Sequence, residues 1–219
     1  YYDKTSINNK GMVLVNIPTQ STAVKPNPRF PVGIRVVDLR TRQKVNLIDS
    51  ETYTWQQGVR SQWIDDDVVV FNVLKDNKYK ALAYSLDERI VVKEFEFPVQ
   101  DAYLKDYFLS INYSRIMALR PDYGYRSLAI PSRTELECLD NDGIWYVSYN
   151  DGESKLLYTL QEIISVEPKD TFDVSLHKVN HLMIKPDGKG FIFIHRWYRG
   201  KRRFDRLMYS DFKLSLIHI

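Results

Sequence analysis

The run RWYRGKRR, residues 196–203, sets Arg196, Arg199, Lys201, Arg202 and Arg203 beside the rings of Trp197 and Tyr198. Guanidinium groups offer a planar fork of donors that matches carboxylate or phosphate, and flat rings suit a sugar or a base. A solvated hairpin loop would have the same composition, so the cluster needs support from elsewhere in the chain. Residues 119–125, LRPDYGY, bring Arg120, Tyr123 and Tyr125 within a long insertion that also holds Arg115. Long loops on a rigid scaffold often carry binding residues, although Tyr and Pro also fold such a loop onto itself. In Trp55-Gln56-Gln57-Gly58, Gln57 could bind hydroxyls, while Trp55 packing and a turn at Gly58 form the plainer account.

His177, His181 and His195 are three of the four histidines and lie close together in sequence. Imidazole is a common general base and metal ligand. His181 and His195 are the candidate catalytic bases, with a structural hydrogen-bonding role as the plainer account of His181. No histidine pair stands with a carboxylate in a known ligand spacing, so no metal site is assigned. The expected ligand-binding set is Gln57, Arg115, Arg120, Tyr123, Tyr125, Arg196 and Trp197.

Other chemistries are excluded or left without a motif. There is no phosphate-cradling glycine loop, no GxSxG elbow and no HExxH. The single cysteine, Cys138, rules out an intrachain disulfide and a Cys-based zinc site. It sits in an acidic stretch, residues 135–142, which disfavours the thiolate a nucleophile needs. A net charge of +3 means that any basic function must come from clustering. No apolar run is long enough to span a membrane, and no leader is visible, so a cytoplasmic location is expected. The chain begins at Tyr1 rather than Met, so its natural start is expected to lie upstream.

The elements that must position these residues are strands. Residues 180–185, a Pro-Asp-Gly-Lys turn, residues 190–196, a basic loop and residues 204–210 read as three antiparallel strands. The pattern recurs. The first quartet, lacking most of its first strand, has strands at 11–17, 33–40 and 44–48. The second has strands at 60–64, 68–74, 79–86 and 90–97. The third has strands at 102–104, 107–113, 143–149 and 155–160, with the insertion 114–142 inside it and a helical turn or loop after it. Third strands centre near Val36, Ala83, Val147 and Met208, at intervals of 47, 64 and 61 residues, the longer ones holding the insertions. Four strands per roughly 40–50 residues is the period of a β-propeller. A meander sandwich is the competing fold.

The expected architecture is therefore all-β: a β-propeller with about four blades of four antiparallel strands, at residues 1–50, 51–98, 99–165 and 166–213. In that topology the loops from second to third strand share a face with the blade-to-blade loops. The former carry Lys25, Arg29, Lys75, Lys78, Arg115, Arg120, Arg126, Arg133 and the 196–203 cluster. A basic, aromatic-lined face is expected.

The runs TWQQGVRSQW, LRPDYGY, DNDGIWYVSYNDGESKLL and NHLMIKPDGKGFIFIHRW, in that order, resemble a group of bacterial β-propeller proteins that look like distant relatives of oligogalacturonate lyase. The resemblance spans nearly all of residues 30–213 and is strongest towards the lyase itself at 181–208. It implies a fragment of a larger, seven-bladed propeller. It also implies an acidic oligosaccharide as partner and cleavage by β-elimination as a candidate activity. Arg120 and Arg196 would hold carboxylate, and a histidine would be the base. A divalent metal such as Mn²⁺ is implied for the full-length protein, with ligands in later blades, so none is carried onto this chain. The alternative is a non-catalytic protein-interaction scaffold linked to polysaccharide biosynthesis. Nucleic acid is not expected, because no recognised module is present.

Residues 214–219, LSLIHI, match the translation of CTG TCT CTT ATA CAC ATC, a transposon end used in sequencing libraries. Adapter read-through is expected there, with the natural sequence ending near Lys213, and His218 is kept out of every site. Sequencing the parent gene checks this: a natural reading frame that continues through LSLIHI overturns it.

Overall fold

The computed structural model describes residues 3–212 and the backbone of 216–218. It holds four antiparallel sheets, each wired as a meander of consecutive strands. The first contains β1 (Met12–Pro18), β2 (Val32–Asp38) and β3 (Lys44–Ser50). The second contains β4 (Gln62–Trp63), β5 (Val68–Lys75), β6 (Lys78–Ser85) and β7 (Ile90–Phe95). The third contains β8 (Asp101–Tyr103), β9 (Tyr107–Ile111), β10 (Gly143–Ser148) and β11 (Ser154–Thr159). The fourth contains β12 (Leu176–Ile184), β13 (Phe191–Arg199), β14 (Arg202–Ser210) and β15 (Leu216–His218). Two sheets face to face, the sandwich alternative, are not what the chain builds.

Side-chain alternation explains the stacking. On β5, Val69, Phe71 and Val73 pack with Leu14, Val32, Ile34 and Val36 of the first sheet. Val68 and Val70 point the other way and pack with Phe108 and Val147 of the third. A third cluster joins Leu109, Ile111 and Ile144 to Val179, Leu182, Phe191, Phe193 and Met208 of the fourth sheet. Each sheet thus packs on the next in chain order. The far face of the fourth sheet carries Met183, Ile192, Ile194 and Leu207, of which Met183 is 46% and Leu207 38% exposed.

The insertion contains two short helices, α1 (Tyr113–Leu119) and α2 (Arg133–Glu137). Asn112 caps α1 through its side chain, and Ser132 with Glu135 forms a capping box on α2. Thr159 and Glu162 do the same for α3 (Leu160–Ser165), which follows the third sheet.

Several strand bounds differ from expectation. β4 is only two residues long, because Arg60 takes φ +56° and turns its guanidinium inward to Asp3 and the Gln100 carbonyl. The basic stretch 196–203 is no loop: β13 runs to Arg199, and β14 resumes at Arg202 after Gly200 turns at φ +59°. Trp197 stacked on Phe204 (5.5 Å, 12°) and Arg196 paired with Asp205 hold that hairpin together to its tip. β12 starts at Leu176, four residues earlier than read from sequence. The backbone of 216–218 pairs with the open edge of β14, giving the fourth sheet a fourth strand.

Buried polar side chains tie sheet to sheet. Asn72, fully buried in β5, donates to the Val99 carbonyl (2.8 Å) and the Tyr125 hydroxyl (2.8 Å) and accepts from the Val99 amide (2.6 Å). Its own carbonyl accepts from Ser50 (2.8 Å). Asp101 accepts from Lys4 and from the Ile184 amide (2.7 Å). Replacing Asn72 by Ala leaves the Val99 amide and carbonyl and the Tyr125 hydroxyl without this partner. The expected cost is about 2–4 kcal/mol, read as a lowered urea midpoint. A loss below about 0.5 kcal/mol would show that this side chain is not a tie between elements.

Candidate functional site

β12 presents two chemically opposite faces. His177 and Val179 point to the core, with Trp197 and His195 opposite them on β13 and Phe204 and Arg206 beyond on β14. Lys178 and Asn180 point the other way, in cross-strand rows Lys178–Arg196–Asp205 and Asn180–Ile194–Leu207.

The core-facing rings form a closed chain. Arg206 donates through Nε to His195 Nδ1 (2.9 Å), so His195 carries its proton on Nε2 and gives it to His177 Nδ1 (3.0 Å). His177 then donates from Nε2 to the Phe172 carbonyl (3.3 Å). The remaining Arg206 donors go to the carbonyls of Ile163, Val166 and Glu167. Burial, with Arg206 and His177 adding to it, pushes His195 down to about 2. Burial pushes His177 down to about 4; the Phe172 carbonyl opposes this, and Arg115 and Arg206 reinforce it. Both rings are neutral and structural.

The other face is polar and incompletely paired. Lys178 is 0% exposed, yet its Nζ has no hydrogen-bond partner among the described residues. Asn180 is 3% exposed, and neither its amide oxygen nor its nitrogen is paired among the described residues. The Tyr198 hydroxyl is also buried, with Arg196 beside it. Asp205 is taken by Arg196 and, at 3.5 Å, by Arg203. Burial first, then the charges of Arg196 and Arg120, bring Lys178 down to about 7, with Asp205 opposing. Arg120, at the C-cap of α1, has Asp122 3.6 Å away, beyond hydrogen-bond reach. Uncompensated positive potential in a water-poor place attracts an anion.

His181 stands at the rim of this group. It takes φ +53° where the β12–β13 register shifts between Asn180 and Met183. This bulge re-aims its ring to meet Tyr123 edge-on (5.1 Å, 81°). The Arg120 guanidinium lies 5.5 Å from the same Tyr123 ring. Burial, then Lys178 and Arg196, lower the His181 pKa and favour the neutral ring. Gln57, Gln100, Tyr113 and Asn180 line the narrow gap beside it, and Gln100 Nε2 is buried without a hydrogen-bond partner among the described residues.

The structure therefore brings together Gln57, Arg120, Tyr123, His181 and Arg196 and leaves the other candidates in the core. Arg115 is saturated by Asp142 and by the carbonyls of Glu135, Leu136, Cys138 and His177, so it pins the insertion in place. Tyr125 is stacked on Tyr113 (4.1 Å, 13°) and holds Asn72. Trp197 is buried and donates to Thr171 (3.0 Å), so its face meets Phe204 rather than a ligand. His195 lies on the wrong side of the sheet to reach the Lys178 row. The broad basic face also narrows, because Lys75, Lys78 and Lys80 pair with Glu94, Glu96 and Asp76, and Arg133 with Glu137. Lys178 and Asn180 were missed in the sequence. The signal was there: two polar residues two apart on an inner strand share one face.

No family model and no curated protein matches the chain. Among solved structures, the chain is similar to the β-propeller domain of the Trilobed protease from Pyrococcus furiosus, at 12% identity and a TM-score of 0.49, covering 95% of this chain and 53% of that one. It is also similar to an oligogalacturonate lyase in complex with manganese, at 9% identity and a TM-score of 0.40, covering 100% of this chain and 64% of that one. The chain thus spans about half to two thirds of these two proteins. Residue roles do not transfer at such identities. Among the described residues, no group of three or more His, Cys, Asp or Glu is placed to hold a metal ion, and no helix is long and apolar enough to cross a membrane.

The buried histidines make stability depend on pH. Unfolded histidines take up protons near pH 6.5, whereas folded His177 and His195 hold out to about 4 and 2. Their contribution is complete above pH 6.5 and is lost as pH falls towards 4, by up to about 2–3 kcal/mol per pH unit for the pair. Urea midpoints measured from pH 7.5 down to 5 should fall accordingly; a flat profile would mean that the folded rings take up protons as readily as the unfolded ones.

Proposed function

We propose that the four sheets are consecutive blades of a larger β-propeller, and that the cationic end of the fourth sheet binds an acidic oligosaccharide. The carrying observation is the buried Lys178 amine, without a hydrogen-bond partner, beside Arg196 and Arg120. Stacking of each sheet on the next supports the propeller reading. So does the half-exposed apolar face at Met183, Ile192, Ile194 and Leu207, which is the kind of surface a further sheet covers. Carboxylate suits the cations. The unpaired amides of Asn180 and Gln100 suit sugar hydroxyls, and the ring of Tyr123 suits a sugar face.

Cleavage by β-elimination is a further step on the same reading. A base would take the proton α to the uronate carboxylate, and cations would hold the enolate-like charge. His181 is the base candidate, because it is favoured as the neutral ring and lies near Lys178 and Arg196. His195, sealed in the core, is not. The scaffold alternative draws on the same apolar face, which a protein partner could cover instead of a further sheet.

Calorimetric titration at low salt, with oligogalacturonates against neutral oligosaccharides of equal length, tests the reading. Binding confined to the uronides is expected, weakened at least roughly tenfold by Arg120→Ala, since a charge-assisted hydrogen bond contributes about 1.5–3 kcal/mol. Equal response to neutral sugars, or no response to either, would overturn it. Rising ultraviolet absorbance from an unsaturated product would add the lyase activity.

A further inference from the structure

We propose that Lys178 is a nucleophilic amine that forms an imine with the aldehyde or keto group of an anionic ligand. This rests on the acidic-ligand reading of the same site and adds a covalent step to it.

Three observations carry the inference. First, the amine has no carboxylate to itself. Asp205, two positions along its cross-strand row, is engaged by Arg196 and Arg203. Other buried cations of this chain are handled differently: Arg60, Arg115 and Arg206 are each met by carbonyls, a carboxylate or an imidazole. Second, the electrostatic neighbours of Lys178 are mostly cations, and burial among like charges favours the uncharged amine, which is the nucleophilic form. Third, a proton donor is at hand. Tyr198 is the diagonal neighbour of Lys178 on the same sheet face, and its buried hydroxyl lies beside Arg196. The row runs out to exposed Asp205 and Arg203.

The chemistry balances without a further reagent. The Lys178 Nζ lone pair adds to the carbonyl carbon, the C=O π bond opens, and the oxygen takes a proton from Tyr198. The nitrogen returns a proton to the Tyr198 phenolate. The restored hydroxyl then protonates the carbinolamine oxygen, which leaves as water while the nitrogen lone pair forms C=N, and the second N–H proton goes back to Tyr198. The ligand's anionic group stays on Arg196 and Arg120, whose fixed charges orient the carbonyl towards the amine. An acidic sugar with a free reducing end carries both the anion and the aldehyde.

The test uses the full chain, with glyoxylate as the smallest aldehyde acid and cyanoborohydride at pH 7, followed by peptide mass mapping. Lys178 should gain a single carboxymethyl group at least tenfold faster than any other lysine, and oligogalacturonate should protect it. Acetaldehyde, which lacks the anion, should show no such preference. Lys178→Arg should lose labelling at that position without raising the labelling of any other lysine. If other lysines react while Lys178 stays unmodified and oligogalacturonate still binds, the amine inference falls and the binding reading stands. If Lys178 is labelled selectively but oligogalacturonate neither binds nor protects, the inference stands for another acidic carbonyl compound and the oligosaccharide reading falls.

Discussion

Val69, Phe71 and Val73 leave β5 on one side and Val68 and Val70 on the other, so the second sheet is buried only with a sheet against each face. The same two-sided demand passes to the third sheet and from it to the fourth. A row of sheets follows, rather than one core. Because apolar contact is non-directional, it brings sheets together without setting their register. Directional bonds from a few buried polar residues do that work. Asn72, Asp101 and Tyr107, which donates to the Gly188 carbonyl (2.8 Å), each reach out of their own sheet to fixed backbone groups.

That economy makes the exception visible. Arg115 gathers one carboxylate and four carbonyls, and Arg206 gathers an imidazole and three carbonyls. A buried cation without such a shell costs several kcal/mol unless it gives up its proton or gains an anion. Lys178 has no shell, and Asn180 next to it on the same face has none either. Both stand on the first strand of their sheet, paired with β13. The bulge at His181 aims one more polar ring at the same place.

Much of the fold was legible because strand chemistry is local. β-branched runs, Asp-Gly turns and the recurring quartet located four sheets to within a few residues. The site was half legible. Arg120, Tyr123, His181 and Arg196 stand out by type, and the structure gathers them. Type alone does not reveal facing, however. Trp197 and His195 sit on the same strand as Arg196, but alternation or the core-facing row sends their side chains away from it. Arg115 lies in a basic-looking insertion, and its five acceptors come from segments up to sixty-two residues away. No local pattern announces such a shell. Lys178 was hidden by a boundary: a strand begun at Asn180 leaves it in a loop, whereas one begun at Leu176 makes it an inner-strand residue.

Meander wiring also shapes how the chain acquires its structure. Each strand pairs with its immediate neighbours in sequence, so a sheet closes mostly short loops, apart from residues 19–31 between β1 and β2 and the helical insertion between β9 and β10. Loop-closure entropy is therefore low within a sheet, and growth can proceed one unit at a time as in repeat proteins. The first sheet has a partner as soon as the second emerges, and each addition buries the face just made. Each newly formed unit shows a bare apolar side until the next one packs on it, and a folding intermediate is most prone to self-association there.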